Sequence, residues 1–277
     1  MALEPGLYVA ATPIGNLKDV TYRVIEALKE ADQILCEDTR QTAKLCAAYG
    51  ISTPRAAYNE HNAARVQPDI IDALKGGARI CLVSDAGTPL ISDPGFRLVA
   101  AARAADISVF PLPGPSAAIA ALSACGLPAE RFFFAGFAPS KAEARLSFFK
   151  SLARIEATLV FYESPSRLGA ALAAMQEAFG DRRAVIAREL TKIHETFDSG
   201  ALSALTEKYQ DGAKGEIVVI VEPPAAAAPA SNDDIDRFLA DALKSMSVKD
   251  AAAAAADAFG VPKKAAYDRA LALKASA

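Results

Sequence analysis

Ile80-Cys81-Leu82-Val83-Ser84-Asp85-Ala86-Gly87-Thr88-Pro89-Leu90-Ile91-Ser92-Asp93-Pro94-Gly95-Phe96 decides how the chain is read. Its first four residues form a short apolar run, the pattern of a strand buried on both sides. A helical pattern follows, from Phe96 to Ala105. Between them, Val83 to Phe96 holds two Gly, two Pro, two Asp, two Ser and one Thr in fourteen residues, a rigid turn rich in hydrogen-bonding groups. Asp, Gly and Pro also build ordinary strand-to-helix connections. The carboxyl end of a strand in an open α/β sheet is nevertheless where ligands bind. Other strand ends of this chain carry comparable loops, which favours the ligand-binding reading.

Toward the N-terminus, Leu7-Tyr8-Val9-Ala10-Ala11 is a strand that enters the turn Thr12-Pro13-Ile14-Gly15-Asn16-Leu17. A helix is predicted from Asp19 to Glu30, with Val20, Val24, Ile25 and Leu28 on one face. Gln33-Ile34-Leu35-Cys36 is a strand that ends in Glu37-Asp38-Thr39-Arg40, and a helix continues to Tyr49. Ala56-Ala57-Tyr58 leads into Asn59-Glu60-His61-Asn62, then a helix through Ile70, Ile71 and Leu74 stops at Gly76-Gly77. Toward the C-terminus, Ile107-Ser108-Val109-Phe110 reads as a strand. It runs into Pro111-Leu112-Pro113-Gly114-Pro115-Ser116, a stiff extended linker before a helix that starts at Ser116-Ala117-Ala118. The first N–H groups of such a helix are free to bind a ligand.

The alternation then repeats. Strands are predicted at Phe132–Phe137, Thr158–Tyr162, Ala184–Ala187 and Glu216–Val221. Helices are predicted over Lys141–Ala153, up to Phe179, and over Leu202–Tyr209. His194–Ser199 reads as an antiparallel strand, because no helix separates it from the strand before. The fold class is therefore α/β, with helices on both faces of each sheet. Residues 1–114 and 115–222 are expected to form two α/β domains, 223–230 a proline-stiffened linker, and 231–277 a small helical domain. In the tail, Ser231 with Asp234 and Ser247 with Asp250 read as capping boxes. Gly260 stops one helix and Pro262 opens the next. The unit from Ser247 to Leu273 thus resembles a helix-turn-helix. From Lys244 onward it has six basic against three acidic residues, or +3. The alternative to RNA contact is a capping or dimer-contact bundle.

Composition narrows the function classes. The 277 residues suffice for two cores. A net charge of −3 predicts no bulk attraction to nucleic acid, so RNA contact needs a local basic patch. Four cysteines without a C-x-x-C pair, and only His61 and His194, argue against zinc, and no metal is expected. The N-terminus has no basic region followed by an apolar core, and no uncharged run reaches membrane-span length. A soluble, cytoplasmic protein is expected.

No G-x-G-x-x-G follows the first strand and no P-loop is present. Five loops in order, Thr12–Leu17, Glu37–Arg40, Ser84–Pro89, Pro113–Ala117 and Phe161–Pro165, instead resemble the motif set of the tetrapyrrole methylase superfamily. Within it they resemble the branch that methylates the 2′-oxygen of a cytidine in 16S ribosomal RNA. Tetrapyrrole-methylating members carry a G-x-G-D-type first loop, from which Thr12-Pro13-Ile14-Gly15-Asn16 departs. The resemblance spans the whole chain, tail included. It implies S-adenosylmethionine in a cleft between two α/β domains, and a homodimer. It implies that Ser84, Asp85, Ala86, Thr88 and Pro89 line the methionine and ribose side of that cleft, with Pro113, Ser116 and Ala117 at the domain junction and Pro13 among the cofactor-binding residues. Phe161 and Tyr162 would line the adenine side, and Glu189, Leu190, Glu216 and Ile217 would add backbone and apolar contacts. Lys249, Lys263, Lys264 and Arg269 of the tail are the candidate RNA contacts.

The implied reaction is an in-line displacement, which gains most from holding the reactants at near-attack distance. A ribose hydroxyl is a weak acid, so a base or nearby cation helps. Asp38, Arg40, His61 and Lys192 are the candidates, with Asn59 and Glu60 beside them. Arg40 and Arg188 serve equally as phosphate ligands or as ion-pair partners of Asp38 and Glu189. Two other classes compete: a methyltransferase of this fold acting on a tetrapyrrole or another small molecule, and a non-catalytic RNA-binding factor.

Overall fold

A computed structural model describes residues 3–225 and 231–275. The contacts divide the chain into two units, Met1–Pro223 and Pro224–Ala277. Residues 226–230 of the linker read from sequence lie outside the described residues.

The first sheet contains β1 (Gly6–Ala10), β2 (Gln33–Cys36), β3 (Arg55–Ala57), β4 (Arg79–Val83) and β5 (Val109–Leu112), in the order β3-β2-β4-β1-β5. Every pairing is parallel, so all five carboxyl ends point to one edge. Helices α1 (Tyr22–Glu30), α2 (Thr39–Tyr49), α3 (Ala63–Lys75) and α4 (Phe96–Ala104) cover it. Val24, Leu28 and Leu45 pack on Tyr8, Ile34 and Cys81. Ile70, Leu74 and Leu98 pack on Leu7, Leu35 and Leu82 on the opposite face. Coverage on both faces is why β4 is an unbroken apolar run rather than an alternating one. Each such Leu or Ile, fully buried, contributes about 1.5–3 kcal/mol.

Two local readings shift. The helix expected from Asp19 starts at Tyr22, because the Thr21 hydroxyl accepts from the Val24 N–H at 3.3 Å and caps it there. The strand expected at 107–110 lies at 109–112 and includes Pro111. Ser108 and Leu112 turn their carbonyls to the N–H groups of Leu7 and Ala11, so Pro111 between them faces away. β5 is an edge strand, where a missing N–H leaves no ladder bond unmade.

The second sheet follows α5 (Ala117–Ala124). It is built from β6 (Phe132–Phe137), β7 (Thr158–Glu163), β8 (Arg183–Arg188), β9 (Thr196–Ala201) and β10 (Ile217–Val221), in the order β6-β7-β10-β8-β9. Helices α6 (Ala142–Leu152), α7 (Leu168–Phe179) and α8 (Leu202–Lys208) cover one face. There Phe149, Leu172 and Met175 meet Leu159, Phe161 and Val219. The other face carries α5 and one residue from the first loop: Ile14 packs with Ala118, Leu122, Val160, Val218 and Ile220. β9 is antiparallel to β8, as the missing helix between them predicts. β10 runs antiparallel to both of its neighbours, so Ile217 at its start pairs with Glu163 and Arg188 at the ends of β7 and β8.

The second unit comprises α9 (Asn232–Ala242), α10 (Val248–Phe259) and α11 (Lys263–Ala275). Ile235, Leu239, Ala251, Ala255, Ala266 and Ala270 form its own small core. Ser231 and Asp234 form the full capping box. At Ser247 only half of the box forms. Ser247 accepts from the Asp250 N–H at 3.2 Å, and the Asp250 carboxylate takes the Ser247 hydroxyl at 2.6 Å instead of the backbone N–H. Among the described residues, no helix is long and apolar enough to cross a membrane.

Candidate active site

The loops at the carboxyl edge of the first sheet are laced together. Thr12 and Gly87 exchange two backbone hydrogen bonds, at 2.8 and 3.0 Å. The Thr12 hydroxyl donates to the Ser84 carbonyl at 3.1 Å, and the Ser84 hydroxyl donates to the Gly87 carbonyl at 3.1 Å. The Thr88 hydroxyl donates to the Pro115 carbonyl at 3.0 Å, tying this loop to the start of α5. Leu90 and Ser92 are left-handed without being glycine, at φ 73° and 67°. Such strain persists only where the surroundings impose it, and it concentrates at functional sites.

The second half meets these loops closely. A Cβ on Gly15 would stand 2.7 Å from Lys192 Cγ, so only glycine allows the approach. The Glu189 carboxylate accepts from Lys192 Nζ at 2.9 Å and from the Glu216 N–H at 2.8 Å. Gly215, at φ 89°, makes room for that carboxylate.

Between the halves lies a cavity of about 370 Å³, within the range that holds small-molecule ligands. Of the residues implied for the cofactor, Ala86, Thr88, Ser116, Ala117, Tyr162, Leu190, Glu216 and Ile217 line it. The Tyr162 hydroxyl accepts from the Ala118 N–H at 3.3 Å, and burial pushes its own ionisation up. A second hollow of about 380 Å³ adjoins, lined by Pro13, Ser84, Asp85, Ala86 and Lys192, with Gln41 and Lys44. Ile14, Ala86 and Glu216 belong to both.

Four implied cofactor residues do not line either hollow. Phe161 is fully buried on the helix-covered face of β7, edge-on to Phe149 at 5.4 Å between ring centroids. Strand alternation turns Tyr162 to the cavity and Phe161 away from it. Pro113 is exposed on the way to α5, and Pro89 is buried beneath its own loop. Glu189 acts from behind the wall, through Lys192 and the Glu216 N–H.

The four candidate catalytic side chains are not gathered at one point. Asp38 caps α2, accepting from the Arg40 N–H at 2.8 Å, and makes a bidentate ion pair with the Arg40 guanidinium. Hydrogen bonds from Arg40 hold the Asp38 carboxyl down at about 2. Of the two roles open to it, Arg40 makes the ion pair with Asp38 in this structure. His61 is exposed, and its backbone N–H donates to Asn59 Oδ1 at 3.2 Å. Asp38, Arg40 and His61 line neither hollow. Lys192 lines the second, between Glu189 at 2.9 Å and Glu216 at 3.1 Å. Burial alone would lower its ammonium, but the hydrogen bonds to the two carboxylates outweigh it and hold Lys192 above its ordinary value. It stands as a cation held between two carboxylates.

In the tail, Lys249, Lys263 and Lys264 are exposed. Arg269 is not free for RNA. Its guanidinium holds Asp236 at 2.5 and 2.8 Å and Asn232 at 2.8 Å, stapling α11 to α9.

Cavity residues that the sequence did not single out include Ile91, Asp93, Phe137, Glu163 and Gly215. Asp93 and Ile91 lay inside the loop quoted first, so the signal was present. Phe137 reaches the cavity through a bulge between Phe134 and Gly136, with Gly136 left-handed at φ 66°. Nothing in the alternation of Phe132–Phe137 marks it.

Residues 6–206 match the family model described as Tetrapyrrole (Corrin/Porphyrin) Methylases, and residues 229–274 match the model described as the RsmI C-terminal HTH domain. The chain is 51% identical to a ribosomal RNA small subunit methyltransferase I of Mesorhizobium japonicum, over 98% of this chain and 93% of that protein. It is 45% identical to the protein of that name from Pseudomonas aeruginosa, over 96% of each. Among solved structures it is similar to a diphthine synthase (TM-score 0.63, 17% identity, covering 78% of this chain and 89% of that one). It is also similar to the uroporphyrin-III-C-methyltransferase of Thermus thermophilus (TM-score 0.58, 19% identity, covering 79% and 94%). At these identities the structures establish the fold alone.

Proposed function

The chain belongs to the tetrapyrrole methylase family, in the group of the ribosomal RNA small subunit methyltransferases I, and on that premise we propose an S-adenosylmethionine-dependent transferase that methylates the 2′-oxygen of a cytidine ribose in 16S ribosomal RNA. The observation that carries this reading is the pair of adjoining hollows with Ile14, Ala86 and Glu216 in common. One is mostly apolar, walled by Ile91, Phe137, Tyr162, Leu190 and Ile217, and suits an adenosine and a thioether chain. The other carries Lys44 and Lys192 and suits a phosphate-bearing acceptor.

The residues present fit the donor. Apolar side chains cover the faces of a ring, while Ser116 and Thr88 stand beside them as polar lining. S-adenosylmethionine, when bound, supplies a methyl group activated by a sulfonium. Ala86 and Glu216, common to both hollows, would bring donor and acceptor together, and such placement supplies much of a transfer rate. Lys192, pinned by two carboxylates, offers a fixed positive charge to the incoming nucleotide. Lys249, Lys263 and Lys264 would grip RNA by counterion release. A homodimer in the cytoplasm completes the proposal.

The competing reading, a tetrapyrrole or other small-molecule methyltransferase, rests on fold likeness and is weaker than relatives of the RNA-modifying name over nearly the whole chain. The test is methyl-labelled S-adenosylmethionine offered with unmodified small subunits, naked 16S ribosomal RNA and a tetrapyrrole precursor. Label mapped to a ribose of the subunit RNA is the expected result. Label in the tetrapyrrole alone would overturn the proposal.

A further inference from the structure

We infer that one flank of α11 is a docking surface for unpaired RNA, on which Tyr267 stacks against a splayed base and Lys263, Lys264 and Lys274 hold the phosphates beside it. The inference rests on reading the chain as acting on RNA, and names the form of RNA that the helical unit takes.

Each residue of a helix turns about 100° from the last. In α11 that rotation sends Ala266, Ala270 and Leu273 into the core shared with α9 and α10. Arg269 leaves on one side of this line, toward Asp236 and Asn232 of α9. Lys263, Lys264, Tyr267, Leu271 and Lys274 all fall on the other side, within an arc of about 100°. All five are exposed. Tyr267 is 40% exposed and Leu271 45%, large side chains that the unit's own core leaves uncovered. The acidic residue of α11, Asp268, falls outside the arc. The ion pairs of this unit join Arg237 to Asp234, Lys244 to Asp241 and Arg269 to Asp236. Among the described residues, the three lysines of the flank therefore keep their charge unpaired.

Those features select the occupant. Unpaired lysines around an aromatic ring match a chain of phosphates with bases between them. A second copy of this unit seated face to face would set the same lysines against one another. Duplex RNA hides its bases in a deep, narrow major groove that side chains cannot read, so a ring on an exposed helix face finds nothing there to stack on. In an unpaired stretch the bases splay out onto such a ring, and every base has a face to offer it. Lys264 and Lys274 lie about 15 Å apart along the helix axis with Tyr267 between them, so phosphates on either side of a stacked base meet a cation. Leu271, one turn beyond Tyr267, extends the apolar platform.

The test measures binding of the full chain, by fluorescence anisotropy without donor, to a fluorescein-labelled RNA of about 12 unpaired nucleotides and to the same strand in a perfect duplex. Wild type should bind the single strand more tightly. Tyr267→Ala should weaken single-strand binding by about 5–150-fold and leave duplex binding unchanged, and Tyr267→Phe, which keeps the ring, should bind as wild type does. Lys264→Gln should weaken both forms and flatten the slope of log K against log salt for the single strand by about 0.7. Equal single-strand affinity for wild type and Tyr267→Ala, or an equal loss on the duplex, would overturn the inference. A changed oligomeric state of Tyr267→Ala in gel filtration, with RNA affinity unchanged, would assign the flank to a second copy and also overturn it. Binding here needs no methyl transfer. A wild type that labels no RNA, yet loses single-strand affinity on Tyr267→Ala, would overturn the transferase reading and support this surface, whereas labelled RNA with unchanged affinity would overturn the surface alone.

Discussion

In the first half all strands run one way, and the loops after β1, β4 and β5 arrive at the same edge by that fact alone. In the second half β10 runs against its neighbours, and the start of one strand joins the ends of two others. The two edges differ in kind as well. The first contributes polar, strained loops that bond to one another, such as Thr12 with Gly87 and Thr88 with Pro115. The second contributes apolar side chains and a carboxylate-lysine brace, Tyr162, Leu190, Ile217 and Glu189 with Lys192. A parallel edge positions backbone and hydroxyl groups, whereas a mixed sheet makes a wall.

The sharpest way to break this contrast is at neighbouring residues of one strand. Phe161→Ala removes a ring packed among Phe149 and Phe179 and should cost about 3–5 kcal/mol of stability by denaturant titration. Donor affinity of the folded fraction should not change. A loss of affinity at unchanged stability would mean that Phe161 faces the cavity after all.

Next in size is Gly215→Ala. At φ 89°, with a Cβ only 2.4 Å from Glu189 Oε1, the change should cost about 1–3 kcal/mol and release the Glu216 N–H from Glu189. Donor binding should weaken with it. Gly77→Ala is the control, since Gly77 is left-handed at φ 91° with nothing within 4 Å of a Cβ. If calorimetry finds equal donor affinity in the two variants, the brace does not shape the wall.

Tyr162→Phe should cost about 1 kcal/mol, the net worth of its bond from the Ala118 N–H. Thermal melting alongside donor titration measures whether that loss falls on folding or on binding; binding is the expected answer. Smallest in stability is Lys192→Met, below about 1 kcal/mol because its ion pairs are partly solvated. Transfer to RNA should fall while donor affinity holds. The reverse pattern would move Lys192 from the acceptor side to the donor side.

Much of this is legible in the sequence. The apolar runs at Ile80–Val83 and Val218–Val221 have one plausible environment, a strand covered on both faces. Five loops in order carried the family resemblance, and eight of the implied cofactor residues meet in one cavity. What escaped had specific reasons. The motif pairs Phe161 with Tyr162, but a strand sends adjacent side chains to opposite faces. Charge counting leaves Arg269 free, whereas Asp236, 33 residues away, holds it. The tail as a whole balances seven basic against seven acidic side chains, so its RNA-facing character rests on where Lys249, Lys263 and Lys264 lie and not on net charge.

Element type and loop chemistry are local matters. Periods of two and 3.6 residues, caps and proline positions are written within a dozen residues, and they suffice for an α/β chain whose strand ends carry ligand-type loops. Which strand ends meet is a long-range matter. The antiparallel entry of β10, the insertion of Ile14 among α5 and the second sheet, and the bracing of Glu189 against Lys192 and the Glu216 N–H depend on groups brought together by the whole fold. No local pattern encodes those meetings, because they follow from packing two sheets and their loops at once. The cavity and the second hollow beside it are products of that packing.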